Sequence, residues 1–131
     1  MARLTTVNDI EIRFSQAAGD ENVTLQTFQV SRRDGSPVPG RFPLKVWFTA
    51  NLTTLAQTGT TYSGDVVATA GTIVDILTAK KSLIAVTDAD GKLTISITDS
   101  GETEDYAVVQ DFGLSPVVSV SPAFTAWGEG E

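Results

Sequence analysis

The chain has 131 residues, a formal net charge of -7 and 41% hydrophobic residues, which is length and apolar content enough for one domain with a self-supporting core. Cysteine and histidine are absent, which excludes disulfides, thiolate nucleophiles, imidazole bases and the usual zinc, copper or haem ligands, and leaves only oxygen chemistry. No Lys or Arg follows Lys92, whereas acidic residues continue to Glu131, a balance that argues against nucleic acid as a partner.

The opening "MARLTTVNDIEIRF" has no apolar h-region, and no stretch of the chain reaches the length of a membrane span. Neither a signal peptide nor a membrane partner is therefore expected, and folding is expected in the cytoplasm where the chain is made. Residues 1–21 read as an arm or a first strand, since Ile10, Ile12 and Phe14 alternate before a Gly-Asp-Glu-Asn stop at 19–22. Arg3, Arg13, Arg32, Arg33, Arg41 and Lys45 all fall in the first third, so the basic end of one copy can complement the acidic end of another; solvated faces are the plain alternative.

Residues 22–131 read as the main domain with a short acidic tail. In "VTLQTFQVSR" Val23 and Leu25 lie in one phase, Phe28 and Val30 in the other, which predicts a strand with a bulge near Gln26-Thr27. "RDGSPVPG" is a turn by composition. "FPLKVWF" alternates cleanly, Phe42, Leu44, Val46 and Phe48 on one face and Pro43, Lys45 and Trp47 on the other. The Thr- and Gly-rich run 49–65 reads as a long connection with room for a short strand. In "TIVDILTAKKSLIAVT" the spacing of Ile73, Val74, Ile76 and Leu77 also fits a helix, but the Thr, Ile and Val content favours strands. "KLTISIT", "DYAVVQDF" and "PVVSVSPAFTAW" complete six to eight short strands, the pattern of an all-β antiparallel sandwich.

Each candidate site meets a structural alternative. Asp88-Ala89-Asp90-Gly91 looks like the start of a calcium loop, but counting from Asp88 puts Gly91 at position 4, Lys92 at 5 and Asp99 at 12, where such a loop needs Gly at 6, oxygen at 5 and Glu at 12. A hairpin with Asp90-Gly91 in positive dihedrals explains the residues better. No Gly-x-Ser-x-Gly elbow and no phosphate-cradling glycine pattern occurs, and nothing indicates the deep cleft that a carboxylate pair would need, so no catalysis and no cofactor are expected. Trp47, on the polar phase of its strand, is a contact candidate unless a loop covers it. Phe124 and Trp127 either dock on their own domain or lodge in a neighbouring subunit. The sequons at Asn22 and Asn51 read as chance matches.

The run "GTIVDILTAKKSLIAVTDADGKLTISITDSGETEDYAVV", preceded by "GRFPLKVWF", resembles the immunoglobulin-like β-sandwich proteins encoded among tailed-phage structural genes, including capsid decoration (cement) proteins. The resemblance extends over residues 23–127 and rests on a Thr-Ala-Lys-Lys step, a Thr-Asp-Ala-Asp-Gly hairpin and a Thr-rich alternating strand. It implies a virion protein on the capsid outer surface that bridges major capsid protein subunits as a homo-oligomer, with a trimer favoured. In that setting the arm, with Arg3, Ile10, Ile12, Arg13 and Phe14, would grip the shell or a neighbouring copy. A glycan- or receptor-binding module of a tail or fibre is the alternative, and a secreted adhesion domain a third.

Overall fold

Alternation decides which side chains fill the interior. In the stretch 92–98, Leu93, Ile95 and Ile97 are fully buried between outward Thr and Ser residues, and 43–49 does the same with Leu44, Val46 and Phe48. The computed structural model describes residues 10–111 and 118–129. Among them nine strands and no helix form: β1 (Ile10–Ala18), β2 (Val23–Arg32), β3 (Pro43–Thr49), β4 (Val66–Ala70), β5 (Thr72–Thr78), β6 (Ser82–Val86), β7 (Lys92–Thr98), β8 (Tyr106–Asp111) and β9 (Val118–Val120). One sheet runs β1-β2-β7-β4 and the other β5-β6-β3-β8-β9, with every pairing antiparallel. The all-β sandwich is as the alternation predicts, including the choice of strands for 72–86. The count exceeds six to eight because β4, in which Val66-Val67-Ala68 does not alternate and a bulge follows Ala68, carries no clear period.

The bulge expected in β2 is absent: β2 holds unbroken register with both neighbours. Its inward residues are Thr24, Gln26, Phe28 and Val30, all buried. The two polar ones are accommodated because the Gln26 amide donates to Thr24 Oγ1 at 2.8 Å and to Gln16 Oε1 at 3.1 Å, which removes the penalty for burying them. Hydrophobicity alone misreads this phase, since Val23 and Leu25 point outward.

Both acidic turns join strands of opposite sheets, so neither closes the expected hairpin. The first links β6 to β7 and has only Gly91 in the left-handed region, at φ 76°. Asp88 Oδ1 accepts from the backbone N–H of Asp90 (2.9 Å) and Lys92 (3.1 Å), an Asx turn that explains the Asp-x-Asp-Gly sequence. The other links β7 to β8. There Asp99 accepts from Thr103 Oγ1 at 2.6 Å, Thr103 N at 3.0 Å, Ser63 N at 3.2 Å and Gly101 N at 3.4 Å.

The sandwich also changes sheets at Gly71, which alone separates β4 from β5 and has φ 83°. Residues 121–128 cover one end of the core: Phe124 lies edge-on to Phe48 at 5.8 Å, Phe48 edge-on to Tyr62 at 5.6 Å, and the Tyr62 hydroxyl donates to the buried Asp105 at 2.8 Å. Burial first, then the adjoining Asp105 carboxylate, holds the Tyr62 hydroxyl far above its ordinary value. No further strand forms between Thr49, the last residue of β3, and Val66; a single bridge from Thr49 to Gln57 folds the run back on β3.

Candidate interaction surface

The structure separates the residues that the sequence grouped as an interface. Arg3 lies outside the described residues, and Ile10 is described by backbone alone, paired with Arg32. Residues 10–18 form the first strand of a sheet. Ile12 and Phe14 turn inward on it and pack against the core, Phe14 edge-on to Phe28 at 5.6 Å. Arg13 points outward, paired with Glu11 at 2.7 Å and donating to Arg33 O at 2.9 Å. Phe124 and Trp127 are buried in their own core, and Trp127 Nε1 donates to Phe124 O at 3.0 Å. Their apolar surface is committed within the chain, so lodging in a neighbour would require the core to open.

Trp47 remains at the surface, half-buried. The 50–57 loop reaches over it: Trp47 Nε1 donates to Leu55 O at 2.8 Å, and Leu55 holds a left-handed φ of 56° to do so. Lys45 Nζ lies 5.4 Å from the indole centre, within cation–π range. Lys45, Trp47, Leu55, Gln57, Leu77 and Ser82 line an open groove of about 340 Å³.

That groove belongs to a larger surface. Strand register places Trp47 opposite Val108 and Ser82, Val108 opposite Val120, Lys45 opposite Ile84, and Val86 opposite Pro43 on the outer face of the five-stranded sheet. The outer face of the other sheet instead carries mainly hydroxyls, amides and charges, such as Arg13, Thr27, Gln29, Thr94 and Ser96, with Thr27 and Thr94 hydrogen-bonded at 2.9 Å. An antiparallel sheet bathed by water on one side normally alternates apolar with polar. The five-stranded sheet departs from this, and its rim departs further: in β5, Val74, Ile76 and Leu77 are 58%, 59% and 45% exposed. Apolar side chains left exposed in this way make this edge the candidate contact surface of the described residues.

Sequence reasoning isolated Trp47 but missed this rim. The signal was present as the helix-like spacing of Ile73, Val74, Ile76 and Leu77. In the structure that spacing reflects two bulges, between Ile73 and Asp75 and between Ile76 and Thr78, each of which breaks the two-residue period.

For chemistry the arrangement offers little. The Asp88 and Asp99 carboxylates are occupied by backbone and hydroxyl donors of their own turns. Among the described residues no group of three or more acidic side chains converges as a metal site would require, and no helix is long and apolar enough to cross a membrane. Comparison with protein-family models, with curated proteins and with solved structures gives no significant match.

Proposed function

We propose that the chain is a non-catalytic structural protein of a tailed-phage particle, which binds the outer surface of the assembled capsid and stabilises it by bridging major capsid protein subunits. The observation that carries a binding role is the apolar face and rim of the five-stranded sheet on a sandwich whose other face is polar. The capsid assignment draws on the resemblance of residues 23–127, and immunoglobulin-like wiring is part of it. The orders β1-β2-β7-β4 and β5-β6-β3-β8-β9 support this reading as far as a two-sheet antiparallel sandwich, while β5 and β6, which intervene between β4 and β7 in the chain, are additional to a seven-stranded constant-type domain.

On this reading the protein acts as a homo-oligomer. Several modest shell contacts, linked through the oligomer, add to a strong attachment. Copies that bind the assembled lattice and not free subunits then stabilise the shell by mass action. With Ile12 and Phe14 packed against the sandwich core, Arg13 is the member of the expected grip that the described residues leave outward.

The test is co-sedimentation of purified protein with expanded empty shells, and with unassembled major capsid protein as control. Saturable binding to shells alone, with raised shell melting, is expected. Binding to neither, together with a specific hit on a glycan array, would favour the receptor-binding alternative, for which the Trp47 groove is the natural platform.

A further inference from the structure

The apolar outer face of the five-stranded sheet needs an occupant, and its charges indicate which one. Across β3, β6 and β5 the register sets Lys45, Ile84 and Asp75 in a single row on that face. A cation stands at one end, an anion at the other and an apolar residue in the middle. On either side the rows are Trp47-Ser82-Thr78 and Pro43-Val86-Thr72, which carry no charge.

A row of this kind is self-complementary under a two-fold rotation. Turning one copy by half a turn about an axis that runs along β6, between two stacked faces, exchanges the β3 side with the β5 side. Ile84 then meets Ile84, Val86 meets Val86, and each Lys45 meets the Asp75 of the other copy. The other two-fold in the plane of contact, along the row itself, sets Lys45 against Lys45 and Asp75 against Asp75 and is opposed by like charge. Such an isologous contact closes on itself and stops at two copies.

The alternative use of the rim, edge-on addition of a strand to β5, is opposed by its two bulges, which interrupt the open hydrogen-bonding row. They leave Leu77 beside Lys45 and Trp47 on that face, whereas Ile76 is in register with the inward Leu83 and lies on the other side of the sheet.

We infer that this face binds a second copy of the chain, forming a face-to-face pair in which two Lys45–Asp75 contacts flank an Ile84–Ile84 and Val86–Val86 centre. The pair takes the place of the trimer expected from the resemblance. The inference gives that face to a second copy, so shell binding by the pair falls to the remaining surface and is tested separately by the co-sedimentation above.

The experiment is the mass of the full chain in solution across a concentration series, with three variants. The wild type is expected at twice the chain mass. Lys45→Asp and Asp75→Lys each oppose like charges twice in the pair, and each is expected to weaken pairing by about tenfold or more; the double variant, which restores opposite charges with the row reversed, is expected to regain it. Circular dichroism and melting on each variant confirm that the monomer is folded. A wild type that stays a single chain throughout, a mass of three chains, or a double variant no better than the singles would overturn the pair, while leaving the shell co-sedimentation result to be judged separately.

Discussion

Gln16 holds three parts of the chain with one amide. Its Nε2 donates to Ala123 O at 3.0 Å, and its Oε1 accepts from Thr125 N and Ala126 N, each at 3.0 Å, and from Gln26 at 3.1 Å. Nothing in the sequence distinguishes Gln16 or Gln26 from surface amides, because their role depends on a segment more than a hundred residues away. Asp99 is the other residue whose meaning only the fold reveals: in sequence it stands at the end of a calcium-loop count that fails, and in the structure it organises a loop. Burial works to raise its carboxyl, but the Thr103 hydroxyl, followed by the backbone N–H groups of Thr103, Ser63 and Gly101, more than offsets that and holds it below the ordinary 3.8. A carboxyl depressed on folding contributes stability that is complete above the unfolded value and is lost as pH falls through the lower folded one. Asp99→Asn is therefore expected to destabilise the protein by roughly 1–3 kcal/mol at neutral pH. The difference from wild type should shrink as pH drops below the ordinary Asp value. Urea denaturation of both proteins at a series of pH values checks this, and curves that stay parallel into strong acid would remove Asp99 from the account.

Elements with an unbroken period were legible and elements bent by the sandwich were not. β3 and β7 alternate in sequence and in burial. β4 and β5 do not, because the chain must leave one sheet and enter the other within a few residues, which the bulges at Ala68/Ala70 and Ile73/Asp75 and the turn at Gly71 accomplish. The surface suited to a partner was hidden for the same reason, since the exposed apolar residues of β5 belong to that bent segment. Gly71 is the point on which the change of sheet depends. A Cβ there would lie 2.7 Å from Val86 O and 2.9 Å from Leu93 Cδ1, on a backbone already at φ 83°. Gly71→Val should thus cost about 2–4 kcal/mol, from strain plus displacement of the β6 end and a core leucine. Gly59 provides the control: a Cβ there meets nothing within 4 Å and its φ is not in the left-handed range, so Gly59→Ala is expected to be neutral or to stabilise by up to about 1 kcal/mol. Equal melting losses for the two would mean that Gly71 is not a special position.

At the scale of the whole molecule, the excess negative charge of the described residues sits at one end. The ends of the sandwich are set by register: Arg32, the loop to Arg41, and the 87–91 turn lie at one pole, and the β1–β2 turn, the 99–105 connection and the chain from Ser121 lie at the other. At the first pole Arg13, Arg32, Arg33, Arg41 and Lys92 roughly balance Glu11, Asp34, Asp88 and Asp90. At the second, Asp20, Glu21, Asp65, Glu129 and the four carboxylates from Asp99 to Asp105 face, among the described residues, only Lys80 and Lys81. Self-repulsion concentrated in this way destabilises the folded state and is relieved by counter-charge or salt. Glu104 is exposed within the acidic pole, so Glu104→Lys should raise stability by about 0.3–1 kcal/mol at low ionic strength, and the gain should vanish in concentrated salt. The same reversal at the balanced pole has the opposite sign: Glu11→Lys removes the partner of Arg13 and adds a cation where none is needed. Melting both variants at low and high salt distinguishes a polarised molecule, in which position decides the sign, from one in which any added positive charge helps because the total is negative. If both reversals stabilise alike, the net charge acts as a whole and its location has no consequence. If they diverge as expected, the acidic pole is a directed surface, and any partner it meets must present positive charge there.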